Sequence, residues 1–229
     1  MKQTLRERLI RLFIILLPGI IAFGTNCFAY MVPKLILSPD SYVYLDMEID
    51  RMIPLIPEFI IIYYMSFAQW FNYFMQGCFG PENLRNKYFS ADVLAKIISF
   101  FLYLAWPLAM RWPQLPANGN IWVKLVGMAY GVDTPTGAFP SFHCFYSWMS
   151  MRYSFEREPK ERRWISWGQT IFSFALFAAT VLVKQHYFID IIGGIAFAEI
   201  ALQITSHTKL ADRFGELMHR LSAHIEKLI

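Results

Sequence analysis

Residues 9–32 read LIRLFIILLPGIIAFGTNCFAYMV, an almost unbroken apolar run that carries a single charge, Arg11. A helix needs about 20 predominantly apolar residues to cross the hydrocarbon core of a bilayer, so this stretch is long enough to span it. Its length and the lack of an Ala-x-Ala site argue against a cleaved signal peptide. We therefore expect a retained membrane-spanning helix.

Further apolar runs recur along the chain, which is 56% hydrophobic and has a mean hydropathy of +0.35. Long apolar runs are typical of helices embedded in lipid. The six predicted spans cover about residues 10–33, 53–76, 91–110, 141–156, 164–184 and 186–205. The fourth run is short for a span. It is retained because it keeps the basic segments on alternate sides. The predicted fold is an all-α, polytopic membrane protein with a six-transmembrane-helix bundle.

This division predicts one membrane domain over residues 1–206, with its motif core at about 105–200. Residues 207–229 follow as a tail whose apolar side chains recur at helical spacing. Such a pattern favours an amphipathic helix on the membrane surface. We expect this tail to be cytoplasmic.

Clusters of Lys and Arg flank the apolar runs and concentrate in alternate segments. The positive-inside rule then predicts that both termini are cytoplasmic, in an integral protein of a bacterial-type cell membrane. The net charge of +4 is too modest to indicate nucleic-acid binding. The three cysteines show no metal-ligand spacing, and no metal or cofactor is expected.

Two polar segments interrupt the apolar pattern at the same predicted face. The first, residues 133–143, reads DTPTGAFPSFH and leads into the fourth span. Pro140 suits the first turn of a helix, and Ser141, Phe142 and His143 would then present unpaired backbone N–H groups. Helix N-termini bind anions, so this segment predicts an anion site.

The second segment, residues 184–194, reads KQHYFIDIIGG and lies between the fifth and sixth spans. His186 and Asp190 are four residues apart, a spacing that puts both on one side of a helix. A carboxylate bonded to one imidazole nitrogen makes the other a better base or nucleophile. Gly193 and Gly194 predict close helix packing. A lone interfacial histidine would mean little, but polar groups at membrane depth in this combination indicate a functional site.

These segments resemble two signature motifs of the type 2 phosphatidic acid phosphatase superfamily. Pro140, Ser141 and His143 match its Pro-Ser-x-His motif, and His186 and Asp190 match the His-x-x-x-Asp part of its last motif. The resemblance covers roughly the last 130 residues and implies a phosphohistidine intermediate without a metal. By this resemblance His186 attacks phosphorus, Asp190 orients it, and His143 protonates the leaving group. Ser141 and Phe142 then hold phosphate oxygens.

The chain departs from the family pattern in its cations. The last motif of the family begins with an arginine, but this position is Thr180 in the present chain. Lys184 is the nearest substitute. The first motif is degraded. Its closest match is Arg111, which is followed by Trp-Pro. The lysine with which this motif begins in the family is replaced by Leu104. Phosphate binding by Lys184 and Arg111 is therefore an expectation rather than a motif match.

The resemblance implies a lipid phosphatase acting at the non-cytoplasmic face, with a phospholipid or polyprenyl phosphate as its substrate. Candidates are phosphatidic acid, phosphatidylglycerophosphate and a polyprenyl diphosphate. Weakened first motifs also occur in members resembling inositol phosphorylceramide synthases, so a lipid phosphotransferase is an alternative. A third is a non-catalytic membrane binding protein with a decayed site. A metal hydrolase is disfavoured because His-Glu-x-x-His is absent. The oligomeric state is not legible in the sequence.

Overall fold

The computed structural model describes residues 4–45 and 47–227, and this part of the chain is predominantly helical. The first three residues of the predicted domain and the last two of the predicted tail lie outside it. Within the described ranges, the α-helices are α1 Leu5–Ile36, α2 Glu48–Met52, α3 Ile60–Phe79, α4 Glu82–Ala105, α5 Ile121–Val132, α6 Phe142–Arg157, α7 Arg163–Leu182, α8 Phe188–His207 and α9 Leu210–Glu226. Two short strands, β1 Val43–Tyr44 and β2 Leu108–Ala109, pair in parallel.

Four of the described helical segments are long and apolar enough to cross a membrane, which confirms the all-α, membrane-type fold. They are α1, α4, the segment Lys160–Leu182 that contains α7, and α8. The other two predicted spans coincide with α3 and α6, which do not reach this level. Helix α6 is 16 residues long and rich in serine, and α3 carries several polar residues along its length.

Helix α6 can carry polar residues because other helices enclose it. It packs against α3, α4, α7 and α8, and most of its side chains are buried. Some of its polar groups are paired inside the bundle: Ser147 donates to the side chain of Gln69, and its carbonyl accepts from Ser173 at 3.0 Å. A helix shielded by protein does not need an apolar surface. This position explains the weak apolar signal of its sequence.

Predicted boundaries were wrong at the start of the second span and at both ends of the third, where α4 ends at Ala105 rather than at 110. Both starting boundaries have a local reason. Helix α3 begins at Ile60 rather than at residue 53, because Pro54 and Pro57 hold the preceding segment out of an α-helix. Helix α4 begins at Glu82 rather than at residue 91. Its polar first turns were not recognised as helical because they are covered by α9 rather than by lipid.

The tail forms the predicted amphipathic helix, α9. Its buried residues Phe214, Gly215 and Met218 face the bundle, where α9 packs against α1, α4 and α8. Nε2 of His219 lies 2.8 Å from the carboxylate of Glu82. The apolar face is thus used largely for packing against the protein, whereas we expected it to lie on a membrane surface.

Three loops are tied together at the end of the bundle where α1 ends and α3, α6 and α8 begin; we call this the site end. Strand β1 joins the loop after α1 to the loop after α4, and Ala109 forms an antiparallel bridge with Thr136. Gly137 donates its N–H to the Leu108 carbonyl at 3.0 Å and has a φ of +68°, a conformation that favours glycine. These links fix the loop that leads into α6.

Candidate active site

The start of α6 is capped by its own sequence. Ser141 is the N-cap residue, and its hydroxyl accepts from the Cys144 N–H at 3.3 Å. The Ser141 N–H itself donates to the Asp190 carbonyl at 3.2 Å. The expectation of an unpaired N–H at Ser141 was therefore wrong, because α8 lies against this turn and takes it up. Pro140 precedes the cap instead of standing in the first turn.

Gly194 brings α8 against α6 at this point, in agreement with the predicted close packing. A Cβ at Gly194 would lie 2.6 Å from the Ser141 carbonyl oxygen and 2.9 Å from the Cys144 Cβ. These distances are below van der Waals contact, so only glycine fits here without a shift. At Gly193 a Cβ would meet the ring of Phe139 at 2.4 Å. The two motifs are thus held together by backbone contact.

His186 and Asp190 contact each other, but not across a helical turn as we expected. Helix α8 begins at Phe188, so His186 lies just before it and Asp190 lies in its first turn. Asp190 accepts from the Tyr187 N–H at 2.8 Å, and its other contact is with Nδ1 of His186 at 3.3 Å. A carboxylate only accepts hydrogen bonds, so in the neutral imidazole Nδ1 carries the proton and Nε2 keeps its lone pair.

A second carboxylate braces the same turn. Asp50, in α2, accepts from the Phe188 N–H at 2.7 Å, and this contact satisfies one of the donors that a helix N-terminus leaves unpaired. Lys184 has a φ of +57° and its ammonium donates to the carbonyls of Asp50, at 2.8 Å, and Ile53. The loop before α3 therefore fixes the segment that carries His186.

Thr180 stands where the family pattern would place an arginine. Its side chain is fully buried and donates to the Phe177 carbonyl at 2.8 Å. Its carbonyl accepts from the N–H groups of Gln185 and His186 at 2.9 and 3.1 Å. The residue closes the turn that presents His186, and it lies inside the helix packing rather than at an open surface.

His143 is held by α3, a helix that our sequence analysis did not connect to the site. Its Nδ1 lies 3.0 Å from the Ser66 hydroxyl, and its Nε2 lies 3.0 Å from the Tyr63 hydroxyl. The rings of Tyr63 and Trp70 pack beside the imidazole, with centroids at 4.6 and 4.7 Å. Nothing in the sequence of α3 marked Tyr63 and Ser66, since their i, i+3 spacing is common in any helix.

The two histidines lie side by side at the site end, whereas the sequence predicted only a shared face. Their ring centroids are 5.8 Å apart and the planes are inclined by 64°. His186 shows 10% of its side chain to solvent, and His143 is buried.

A cavity of about 320 Å³ opens beside both histidines; we call it the aromatic cavity. Its rings come from α1, α3 and α6: Tyr30, Tyr63, Tyr64, Phe67, Trp70 and Phe142. Gln185 also lines it. Among the described residues, the buried Nε2 of Gln185 has no hydrogen-bond partner.

A second cavity, of about 310 Å³, lies against His186 and Met110, which the two cavities share; we call it the basic cavity. Its charged wall residues are Asp50, Arg51, Arg111 and Lys184. The guanidinium of Arg111 lies 5.0 Å from the ring centroid of Tyr44, and its backbone N–H donates to the Tyr187 hydroxyl at 3.1 Å.

The predicted phosphate ligands are thus only partly brought together. Arg111 and Lys184 line the basic cavity and Phe142 lines the aromatic one. Ser141 has no exposed surface and, as far as the described residues define them, belongs to the wall of neither cavity.

A polar cluster at the rim of the aromatic cavity was also missed. Tyr30 donates to the carboxylate of Asp133, and Lys34 lies 3.4 Å from the same carboxylate. Lys34 donates to the Thr134 hydroxyl at 2.7 Å as well. These contacts join α1 to the loop before α6, about 100 residues away in sequence. Separation of this kind leaves no local signal.

Comparison with known families agrees with this arrangement. The model of the PAP2 superfamily matches residues 81–204, which include both histidines and the glycine contact between α6 and α8. No curated protein and no solved structure matches the chain. Since the match covers more than half of the sequence, the chain belongs to the PAP2 superfamily, the type 2 phosphatidic acid phosphatases and their relatives.

Proposed function

We propose that this protein is a membrane lipid phosphatase that works through a phosphohistidine on His186. Membership in the superfamily indicates phosphatase or phosphotransferase chemistry in general. The observation that carries the specific proposal is the pairing of Asp190-bound His186 with His143 where the aromatic and basic cavities meet.

In the proposed reaction, the lone pair on Nε2 of His186 forms a bond to phosphorus. The bond from phosphorus to the lipid oxygen breaks, and a proton from His143 neutralises that oxygen. Water then attacks the phosphohistidine, His143 takes up a proton from that water, and free phosphate leaves His186 in its original form. Asp190 holds the imidazole and stabilises its positive charge in both steps.

Charge on the phosphoryl oxygens requires donors that are already in place. The amide of Gln185 is one candidate, because its buried Nε2 has no partner among the described residues and it lines the aromatic cavity. Arg111 and Lys184 add positive charge on the other side of His186. Ser141 and Phe142 contribute by fixing the start of α6, where an anion is favoured by the helix dipole.

The aromatic cavity supports a lipid as the substrate. Its wall of rings between α1 and α3 suits an apolar group, whereas the histidines stand at its polar end. We propose a phosphomonoester or diphosphate of a lipid, of the phosphatidic acid, phosphatidylglycerophosphate or polyprenyl diphosphate type. The bilayer is then both solvent and source of substrate.

We further propose that α3 and α6 complete a six-span bundle. They alternate in direction with α1, α4, α7 and α8, and α6 is enclosed by its neighbours. With the basic segments inside, both termini and the α9 tail are cytoplasmic and the site end faces the opposite side of a bacterial-type cell membrane.

A phosphotransferase is the second candidate function, and the basic cavity favours it. Its volume is nearly that of the aromatic cavity, and it adjoins His186 from another side. An alcohol held there could attack the phosphohistidine in place of water. Transfer would then exceed phosphate release when the acceptor is supplied. A non-catalytic role agrees less well with an intact His186–Asp190 contact.

Phosphate release from a panel of lipid phosphates tests the proposal. Purified protein in detergent, with chelator present, should release phosphate, and His186→Ala should abolish this activity. His207→Ala is the matched control: His207 is exposed at the other end of α8, so its removal should leave the rate unchanged. Retained activity in His186→Ala would refute the proposed mechanism. Formation of phosphorylated alcohols in preference to phosphate would favour the transferase.

A further inference from the structure

Both ring nitrogens of His143 are occupied by side chains of α3, and the hydroxyl of Ser66 decides how. Ser66 has a single hydroxyl proton, which it donates to the Tyr63 carbonyl at 2.6 Å. Its oxygen can therefore only accept from Nδ1 of His143, which lies 3.0 Å away. Nδ1 carries a hydrogen in consequence, and the titrating nitrogen of His143 is Nε2.

Nε2 of His143 faces the hydroxyl of Tyr63 at 3.0 Å. In the neutral imidazole, Nε2 accepts the hydroxyl proton of Tyr63. In the imidazolium, Nε2 donates to the Tyr63 oxygen, and the hydroxyl proton of Tyr63 is free to point elsewhere. A proton that leaves His143 from Nε2 therefore meets the oxygen of Tyr63 first.

The surroundings of the imidazole keep it in this position. The rings of Tyr63, Phe67 and Trp70 have centroids 4.6, 5.5 and 4.7 Å from that of His143. Tyr63 is also part of the wall of the aromatic cavity, where we propose that the lipid phosphate binds. His143 lines the same cavity, and the Tyr63 hydroxyl covers its Nε2, the nitrogen that would release a proton toward the substrate.

We propose that Tyr63 is a catalytic residue that passes the proton of His143 to the leaving oxygen. As the bond between phosphorus and oxygen breaks, the hydroxyl proton of Tyr63 moves to the leaving oxygen, and the Nε2 proton of His143 moves to the Tyr63 oxygen. Tyr63 ends as a neutral phenol and His143 as a neutral imidazole. The same path in reverse removes a proton from the attacking water. This inference rests on the proposed function, because it needs His186 as the nucleophile.

Leaving groups of different basicity test the role of Tyr63. Benzyl phosphate and 4-nitrophenyl phosphate are similar in size, but only the alkoxide of benzyl alcohol needs a proton in order to leave. Tyr63→Phe should lower kcat/KM for benzyl phosphate by about 10²-fold or more, and that for 4-nitrophenyl phosphate by less than about 5-fold. Both rates are to be measured in detergent on protein whose thermal midpoint is recorded.

Tyr73→Phe is the matched control, since Tyr73 lies on the same helix and its hydroxyl faces the Tyr88 carbonyl at 3.5 Å, away from both cavities. It should show no discrimination between the two esters. If Tyr63→Phe does not fold, 3-fluorotyrosine at position 63 replaces it. This change makes the phenol more acidic and should alter the benzyl phosphate rate selectively.

The possible results separate the two proposals. Equal losses for both esters in Tyr63→Phe, or no loss for either, would overturn proton transfer through Tyr63 while leaving His186 as the nucleophile. Hydrolysis of both esters by His186→Ala would instead overturn the proposed function. Selective loss in Tyr63→Phe with complete loss in His186→Ala supports both.

Discussion

The two histidines of the site are held in different ways. The direct contact that orients His186 comes from Asp190, four residues away, and Asp50 braces the same turn from α2. His143 is oriented by Ser66 and Tyr63, which lie 77 and 80 residues away. Contacts between residues that are close in sequence leave a recognisable motif, whereas contacts between distant residues depend on how the helices pack. Substitutions in the two surroundings should therefore differ in size and in kind.

The largest effect is expected from loss of the contact between Asp190 and His186. Asp190→Asn keeps an oxygen that can accept from the Tyr187 N–H, so α8 stays capped, but the charge that orients His186 is lost. By analogy with carboxylate–histidine pairs in hydrolases, kcat should fall by about 10³- to 10⁴-fold. Steady-state phosphate release, together with an unchanged thermal midpoint, checks this. A loss below tenfold would mean that Asp190 serves only as a helix cap.

The next largest effect is expected at Gly194, where α8 contacts the start of α6. In Gly194→Ala the new Cβ would press on the Ser141 carbonyl at 2.6 Å, so α6 and α8 must move apart. Overpacking of this kind costs about 1–3 kcal/mol, and we expect a lower thermal midpoint together with reduced activity.

Gly168→Ala is the control for that change, because a Cβ at Gly168 in α7 has nothing within 4 Å. It should stabilise the helix by about 0.5–1 kcal/mol. A Gly194→Ala variant as stable and active as Gly168→Ala would contradict the close contact between the motifs.

A smaller effect on the rate is expected from loss of the contact between Ser66 and His143. Ser66→Ala removes the acceptor for Nδ1 of His143, and one such hydrogen bond is worth about 1 kcal/mol, or about fivefold in rate. The loss should be greater for benzyl than for 4-nitrophenyl phosphate. Ser90→Ala is the control, since the Ser90 hydroxyl donates to the Lys87 carbonyl at 3.1 Å, within α4. Identical kinetics in the two variants would show that Ser66 does not contribute to the function of His143.

The smallest effect is expected at the rim of the aromatic cavity. Lys34→Met removes the ammonium that links α1 to Asp133 and Thr134. Partly exposed ion pairs contribute about 0.2–1 kcal/mol, so KM should rise by no more than about fivefold with kcat nearly unchanged. Kinetics with a long-chain lipid phosphate measure this split. A large fall in kcat would show that the rim takes part in the chemistry itself.

The same distinction explains what the sequence could predict. The apolar runs identified the all-α membrane fold and the approximate position of each long helix, because lipid exposure acts on consecutive residues. His186 and Asp190 were predicted to touch, and they do so at 3.3 Å. The close packing at Gly194 was likewise legible, since the need for a small residue is a property of one position.

Other parts of the site were not predictable from local patterns. The roles of Tyr63 and Ser66 come from the packing of α3 against α6, and the link between Tyr30 and Asp133 comes from α1. The early start of α4 depends on its cover by α9. The use of the Ser141 N–H by α8 is a tertiary contact as well. Each involves residues far apart in sequence, for which a single chain carries no periodic signal.

Trapping the covalent intermediate tests most directly whether the two histidines have unequal roles. Protein is incubated with ³²P-labelled 4-nitrophenyl phosphate, quenched in alkali, which preserves phosphohistidine, and mapped by peptide mass spectrometry. We predict phosphate on His186 in the wild type and in His143→Ala, because this ester leaves without a proton, and none in His186→Ala. Label on a different residue, or steady phosphate release with no label on His186, would contradict the account.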